Sequence, residues 1–189
     1  MRKIIYFVHT SVDGFFEGPG GAFDWPLMGP ELSAYSMSMT QDVDTFLYGR
    51  LVYQVMASHW PTADTVSDHP HNIAFAPIWR RTPKIVVSNT LTEAGWDTRV
   101  INGTGLAEKI TALKREPGKN LLLTGGTGLA SSLTELGLID EYLIVVHPVL
   151  LTGGTPVLAG VKDRLKLRLL ETRTMDDALV LHRYERAQP

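Results

Sequence analysis

One stretch of the chain, from Leu121 to Leu136, most constrains its fold. Three consecutive leucines that end at Gly125 and Gly126 predict a short strand buried on both faces, because the run is too brief for a helix. Leucines then recur at helical spacing, which predicts a helix beginning near Thr127 or Gly128. A strand that passes through glycines into a helix presents free backbone N–H groups and a positive dipole end, which suits a phosphate group. A tight turn between two packed elements is the alternative interpretation.

The rest of the chain alternates predicted strands and helices. We expect strands at 3–8, 43–48, 84–88, 98–101, 121–123 and 141–146, and helices at 31–41, 49–56, 72–80 and 106–115 and after the glycines. Residues 59–70 are predicted to form an exposed polar excursion. Segments 165–172 and 179–184 predict an antiparallel hairpin at the end of the chain. We therefore expect one domain over residues 1–189, with a three-layer α/β/α architecture on a mixed, mainly parallel sheet.

Composition excludes several classes of function. The 44% of apolar residues suffices for a core, but no segment approaches the length of a membrane span. The 18 basic and 20 acidic residues do not predict nucleic-acid binding. There is no cysteine, and His69 and His71 lack an obvious third ligand, so we expect no metal site. These features favour a cytoplasmic enzyme.

A long loop over residues 17–30 is rich in glycine and proline. Loops of this length in compact domains are often lids or binding loops. Its apolar residues Phe23, Trp25 and Leu27 would be unusual on a solvated loop. We expect them either to pack down as a plug or to line a pocket.

Two common phosphate-binding motifs do not fit the glycine stretch. A Rossmann fingerprint needs a third glycine and an acidic residue at the end of the following strand. Here Asp140 and Glu141 stand at the beginning of that strand, which ends in His147 and Pro148. A P-loop would need a lysine and a hydroxyl residue after the glycines, and these are absent.

A series of short motifs runs through residues 3–158 in a fixed order. They are Ser11-x-Asp13-Gly14, Asp24-Trp25, Gly49-Arg50-x-x-Tyr53, Trp60-Pro61, Thr124-Gly125-Gly126, Gly137-Leu138-Ile139-Asp140-Glu141, His147-Pro148-Val149-Leu150 and Gly153-Gly154. In their order and spacing the chain resembles the dihydrofolate-reductase-like superfamily. More closely, it is similar to the reductase domain of bacterial riboflavin biosynthesis and its stand-alone relatives. The resemblance implies the dihydrofolate-reductase-like fold.

The resemblance also implies an NADPH-dependent reductase. The residues that would hold the pyrophosphate and pass beside the nicotinamide are Thr124, Gly125, Gly126, Thr127, Gly128 and Leu129. A second phosphate cradle would consist of Gly49, Arg50 and Leu51, and the extra phosphate of NADPH would face Arg50, Ser88 and Asn89. The Gly125–Gly126 peptide is expected to be cis. For Arg50 the alternative is a helix-start residue in a surface ion pair.

The substrate residues are less clearly marked. Trp25 and Asp13 are candidates for substrate binding, and Glu31 and Asp24 are candidates for the catalytic acid. The alternatives are that Asp24 caps a turn, that Glu31 favours a helix N-terminus, and that Asp13 is a turn residue. His147 is expected to be a hydrogen-bonded core histidine.

The expected function is hydride transfer to a C=N or C=O bond of a small planar heterocycle such as a pterin, folate or pyrimidine. The resemblance also implies a homodimer. One alternative is an NADP-binding dimeric module without turnover. Another is the ribosylaminopyrimidinone reductase of the riboflavin pathway, although the cysteine motif of its partner zinc deaminase is absent from this sequence.

Overall fold

The structure, a computed structural model, describes residues 1–187. The strands in this range are β1 Ile4–Ser11, β2 Phe15–Glu17, β3 Val43–Gly49, β4 Lys84–Val87, β5 Thr98–Ile101, β6 Asn120–Thr124, β7 Glu141–His147, β8 Thr155–Pro156, β9 Leu167–Met175 and β10 Leu179–Arg186. The helices are α1 Pro30–Met39, α2 Arg50–His59, α3 Ala63–Val66, α4 Pro70–Arg81, α5 Leu106–Arg115 and α6 Thr127–Glu135. A single turn of 3-10 helix spans Pro19–Gly21.

Eight strands form one sheet in the order β5-β4-β3-β6-β1-β7-β10-β9. The strands from β5 to β7 are all paired in parallel, and β1 lies between β6 and β7. The strands β9 and β10 form an antiparallel hairpin, and β10 pairs antiparallel with β7. A separate small sheet joins β2 to β8. The mixed, mainly parallel sheet and its C-terminal hairpin confirm the predicted architecture.

Helices cover both faces of the sheet because its central strands are apolar on both sides. On one face, Leu122 of β6 belongs to a buried core with Leu32 of α1 and Trp79 of α4. On the other face, Leu121 belongs to a second core with Leu133 of α6. Alternate residues of a strand point to opposite faces, so one short leucine run supplies both cores. The result is the three-layer arrangement expected from the sequence.

The excursion at 59–70 is mostly exposed, as predicted, and it contains the short helix α3, which the sequence did not predict. Asp64 of α3 accepts two hydrogen bonds from the guanidinium of Arg80 in α4, at 2.8 and 2.7 Å. Arg80 also donates to the carbonyl oxygen of Pro61. These tertiary contacts hold a segment whose polar composition alone predicts no structure.

A buried carboxylate joins strands at the amino-terminal end of the sheet. Glu141, at the start of β7, is 3% exposed in its side chain and pairs with Lys3 at 2.7 Å and with Arg183 of β10 at 2.6 Å. Burial opposes ionisation of Glu141, but the hydrogen bonds from both cations outweigh it and lower the pKa of this carboxyl. The ion pairs therefore connect β10 and the residue before β1 to β7.

The turn of the C-terminal hairpin binds the start of helix α1. The carboxylate of Asp176 accepts hydrogen bonds from the backbone N–H groups of Glu31 at 2.9 Å and Leu32 at 3.1 Å. In return, the carboxylate of Glu31 accepts from the backbone N–H of Asp176. A Cβ on Gly29 would lie 2.2 Å from the Asp176 carboxyl carbon, so only glycine fits beside this contact. A residue distant in sequence thus caps α1.

We predict that Asp176→Ala lowers the free energy of unfolding by about 1 kcal/mol, since it removes the acceptor for two helix N–H groups. Chemical denaturation measures the change. Asp177→Ala is the matched control, because Asp177 has the same φ of 52° but is exposed. Equal losses in the two variants would show that turn conformation, and not the cap, accounts for the effect.

Candidate active site

Parallel pairing brings the carboxyl ends of several strands to one edge of the sheet. The backbone N–H of Gly125, after β6, donates to the carbonyl oxygen of Phe7 in β1 at 3.2 Å. Gly125 and Gly126 have φ values of 55° and 58°, a region that favours glycine. The expected cis peptide between them is wrong, because residues 1–187 contain only trans peptides. Two consecutive positive φ values, and not a cis peptide, turn the chain from β6 into α6.

Two helices begin side by side at this edge. Helix α2 begins at Arg50 after β3 and α6 begins at Thr127 after β6, and these two strands are paired in parallel. Neither helix has a side-chain cap, so the N–H groups of both first turns are free to bind a ligand. A Cβ on Gly49 would lie 3.6 Å from Cβ of Leu129, which shows how closely the two turns approach.

Gly126 and Gly128, at the start of α6, have different neighbours. A Cβ on Gly126 would lie 2.8 Å from Cγ2 of Val52, so packing within the chain requires glycine there. A Cβ on Gly128 would have nothing within 4 Å, and Gly128 lies in the first turn of α6. Gly128 therefore borders open space at the helix N-terminus. Leu51 is exposed beside the other N-terminus, and Thr124 ends β6.

The residues expected to face the extra phosphate lie at the ends of neighbouring strands β3 and β4. The guanidinium of Arg50 donates to the side-chain oxygen of Gln54 at 3.0 Å. The hydroxyl oxygen of Ser88 accepts from the backbone N–H groups of Thr90 and Leu91 and fixes the turn after β4. The side-chain oxygen of Asn89 accepts from the N–H of Gly103 at 2.7 Å, which leaves its amide N–H₂ group available as a donor.

Aromatic rings connect the glycine turn after β6 to the end of β7, across the intervening strand β1. A Cβ on Gly125 would lie 3.3 Å from the ring of Phe16, and ring centroids then follow at 5.3 Å from Phe16 to Phe23 and 5.6 Å from Phe23 to Trp25. Trp25 is 5.3 Å from His147 at the end of β7. We call Phe16, Phe23 and Trp25 the aromatic row. Phe23 and Trp25 thus pack against neighbouring rings, while Leu27 is exposed, and the substrate contact of Trp25 stays a prediction.

The acidic candidates have other contacts. Glu31 is exposed and pairs with Asp176 as described above, and Asp24 is exposed on the loop. The carboxylate of Asp13 accepts from the backbone N–H groups of Leu151 at 3.1 Å and Thr152 at 2.8 Å, so it anchors the turn after β7. These contacts match the structural alternatives for Glu31 and Asp13. The catalytic roles of Glu31 and Asp24 and the substrate contact of Asp13 stay predictions.

Two histidines form a pair beneath the aromatic row. His147 is fully buried, and its Nε2 lies 2.8 Å from Nδ1 of His9 in β1. The other ring nitrogen of His147, Nδ1, accepts a hydrogen bond from the backbone N–H of Leu27 at 3.1 Å. His147 is thus the hydrogen-bonded core histidine that the sequence predicts. His9 was missed, because its partner became visible only once β1 and β7 were known to be neighbours.

A third histidine, His71 of α4, lies in the same layer. It is buried, its Nδ1 is 2.9 Å from the hydroxyl oxygen of Ser33, and its ring stacks on Phe75 with centroids 5.4 Å apart. Burial lowers the pKa of His71 and of His147 to about 4. Burial and the neighbouring His147 lower the pKa of His9 to about 3. Residues 1–187 contain no group of three histidine or acidic side chains placed to bind a metal ion.

These pKa values predict that the protein loses stability as the pH falls from 6.5 to about 5. The histidines of the unfolded chain bind protons near the ordinary pKa of 6.5, whereas the folded protein keeps these histidines neutral. Each of them therefore contributes at most about 1.4 kcal/mol per pH unit to the slope of the free energy of unfolding against pH. Carboxylates protonate mainly below this range. Urea unfolding across the range should give a smaller slope for His147→Gln than for the unchanged protein.

The exposed His59 provides the control, because His59→Gln should leave that slope as it is. A free energy of unfolding that is constant between these pH values in the unchanged protein would contradict the assignment of neutral histidines in the folded protein.

The sequence and fold match known proteins over almost the whole chain. The family model described as the RibD C-terminal domain matches residues 2–181. The uncharacterised protein YyaP of Bacillus subtilis is 31% identical over 95% of this chain and 92% of its own length. None of the helices in residues 1–187 has both the length and the apolar composition needed to cross a membrane.

Two solved structures share the fold. The diaminohydroxyphosphoribosylaminopyrimidine deaminase/5-amino-6-(5-phosphoribosylamino)uracil reductase of Thermotoga maritima is 13% identical, with a TM-score of 0.71 over 98% of this chain and 57% of that one. Dihydrofolate reductase of Enterococcus faecalis, complexed with NADP(H), is 13% identical with a TM-score of 0.66 over 98% and 97% of the two chains. This chain therefore belongs to the RibD C-terminal domain family and has the dihydrofolate-reductase-like fold.

Proposed function

We propose that this protein is an NADPH-dependent reductase that transfers a hydride to a C=N or C=O bond of a small planar heterocycle. The observation that carries the proposal is the pair of uncapped helix N-termini, α2 and α6, at the ends of adjacent parallel strands. Free N–H groups and two positive dipole ends at one place suit a ligand with several phosphates. Family membership and the NADP(H) complex of the similar dihydrofolate reductase support the same cofactor.

The residues at this edge of the sheet fit NADPH in charge and in shape. Thr127, Gly128 and Leu129 open the first turn of α6, and the open space beside Gly128 leaves room for a pyrophosphate. Arg50 would supply the positive charge for the extra phosphate, with the amide of Asn89 and the hydroxyl proton of Ser88 as further donors. Gly125 and Gly126 would hold the turn beside the nicotinamide through their positive φ values.

When bound, the cofactor would supply the hydride, and the chain would orient the acceptor and exclude water. The aromatic row provides apolar surface between the glycine turn and the histidine pair, which suits a flat ring. Trp25 is the residue we propose for direct substrate contact, because its ring lies against His147. Closure of the loop that bears this ring would lower the local dielectric and favour transfer.

One measurement distinguishes the reductase from the alternative, an NADP-binding module without turnover. Loss of NADPH absorbance with a panel of pterins, folates and pyrimidines would show turnover, whereas NADPH binding without loss across the panel would favour the module. The phosphoribosylaminopyrimidine named for the Thermotoga protein belongs in the same panel. The homodimer stays a prediction of the resemblance, and the cytoplasmic location stays a prediction from the composition.

The first prediction for the cofactor site concerns Gly128. Gly128→Ala should weaken NADPH binding, because the methyl group enters the space proposed for the pyrophosphate. The same variant should keep or gain stability, since alanine favours a helix over glycine by roughly 0.5 to 1 kcal/mol and meets no neighbour here. Calorimetric titration measures the affinity, and thermal unfolding measures the stability.

Gly95→Ala is the control, because a Cβ on Gly95 also meets nothing within 4 Å, and Gly95 lies in the loop between β4 and β5, where its carbonyl oxygen accepts from the Tyr53 hydroxyl. Gly126→Ala is less informative, since the clash with Val52 would destabilise the fold whether or not a ligand binds. Unchanged NADPH affinity in Gly128→Ala would remove the pyrophosphate from the start of α6.

The second prediction concerns the choice between NADPH and NADH. Arg50→Ala should reduce the preference for NADPH by roughly tenfold, about 1.4 kcal/mol, because a charge-assisted hydrogen bond to the extra phosphate is lost. Titration with both cofactors measures the ratio of affinities. Gln54→Ala removes the side chain to which Arg50 donates but keeps the positive charge, so it should preserve most of the preference. Equal affinities in the unchanged protein would contradict the role of Arg50.

A further inference from the structure

The hydrogen bonds of the histidine pair determine where its protons lie. Nδ1 of His147 accepts from the backbone N–H of Leu27, so it carries no proton. A neutral His147 must then carry its proton on Nε2 and donate it to Nδ1 of His9, 2.8 Å away. His9 in turn must carry its own proton on Nε2. The backbone of Leu27 thus fixes, through His147, an N–H donor at the far side of the His9 ring.

The position of His9 places this donor at the proposed substrate site. Phe7 of β1 lies level with Thr124 at the end of β6, and its carbonyl oxygen accepts from the N–H of Gly125. His9 is two residues further along β1 on the same face as Phe7, so it lies beside the glycine turn. Its side chain is partly exposed, and its Nε2 atom has no hydrogen-bond partner among residues 1–187.

A second donor nearby also lacks a partner. Nε1 of Trp25 is buried, and within residues 1–187 no group accepts its hydrogen. A buried N–H group without an acceptor costs free energy, so such groups in native proteins usually bind water or a ligand. The Trp25 ring packs against His147, and His9 is hydrogen-bonded to His147. The N–H groups of Trp25 and His9 therefore both lie near the imidazole of His147. The proposed substrate site therefore has two neutral N–H donors.

Two of the three carboxylates considered for this site are engaged elsewhere, and the third, Asp24, is exposed on the loop. Glu31 accepts from the backbone of Asp176, and Asp13 accepts from the backbone of Leu151 and Thr152. An amino-substituted ring presents N–H donors and is matched by a carboxylate. A ring with carbonyl oxygens presents acceptors and is matched by N–H donors. The donors of His9 and Trp25 suit the second kind of ring.

We propose that His9 Nε2–H and Trp25 Nε1–H donate to acceptor atoms of the substrate, and that the site consequently selects an oxo-substituted heterocycle over an amino-substituted one. His147 is a positioning residue, which acts by holding the donor tautomer of His9. The inference rests on the proposed function for the reaction, but it concerns ligand recognition and is tested separately.

Nitrogen-15 NMR of the unliganded protein at neutral pH tests the tautomers. Long-range proton–nitrogen correlations should show both His9 and His147 protonated on Nε2 alone. A purely structural pair would be unaffected by ligand, whereas binding of an oxo heterocycle should shift the Nε2–H signal of His9. A proton on Nδ1 of His9 would overturn the proposal, since the ring would then present an acceptor to the substrate.

Binding of two matched probes tests the selection. Lumazine, a dioxo pteridine, should bind roughly tenfold or more tightly than its diamino counterpart, because two donors facing amino groups leave unpaired hydrogen-bonding groups. His9→Phe keeps a ring but loses the donor, so it should remove most of this preference. His9→Gln should restore part of it, since its amide oxygen can accept from His147 while its N–H₂ group donates to the probe.

The control is His182→Phe. His182 pairs across strands with Ile144, which packs on the opposite face of the sheet, so this variant should keep the preference of the unchanged protein. Thermal unfolding identifies any variant that fails to fold, and the NMR experiment on the unchanged protein does not depend on the variants. Tighter binding of the diamino probe, or no binding of lumazine, would overturn the inference. If the protein fails to bind NADPH but still binds lumazine more tightly than the diamino probe, the proposed function is rejected and the inference is supported.

Discussion

The structure depends on the parallel pairing of β1 along both of its edges. This strand hydrogen-bonds to β6 on one side and β7 on the other, and its side chains enter both hydrophobic cores. The pairing sets Phe7 level with Thr124 and His9 level with Val145. It therefore determines that the glycine turn after β6 and the histidine at the end of β7 lie on either side of β1. A shift of β1 by one residue would move His9 to the opposite face of the sheet.

The two ends of the sheet differ in how their polar groups are satisfied. At the amino-terminal end, Glu141 is paired with two cations, and Lys114 pairs with Asp140 at 2.6 Å. At the carboxyl end, two helix N-termini lack side-chain caps, Nε1 of Trp25 has no acceptor among residues 1–187, and His9 Nε2 is the further donor that we propose. Paired charges suit the end that stabilises the fold, and donors without an acceptor suit the end at which we propose that ligands bind.

The contact that caps α1 also holds one end of the loop whose residues we propose for substrate recognition. The hairpin turn at Asp176 caps α1, and the carboxylate of Glu31 completes that contact. The loop before α1 bears Trp25 and Leu27, and the backbone of Leu27 sets the tautomer of His147. The cap at the start of α1 thus fixes one end of the loop that orients the proposed donors. A substrate that orders this loop would also favour the neutral histidine pair.

The sequence alone determined the strand–glycine–helix device, the alternation of elements and the closing hairpin, because these follow from local periodicity and from the freedom of glycine. It also marked Trp25 and the glycines around Gly128, since aromatic residues in a long loop and glycines at a helix start are local signals. It did not show the cap on α1 or the partner of His147. Both contacts join residues more than a hundred positions apart, Glu31 with Asp176 and His9 with His147. Only the order of the strands in the sheet decides which distant side chains meet, and local sequence carries no record of that order.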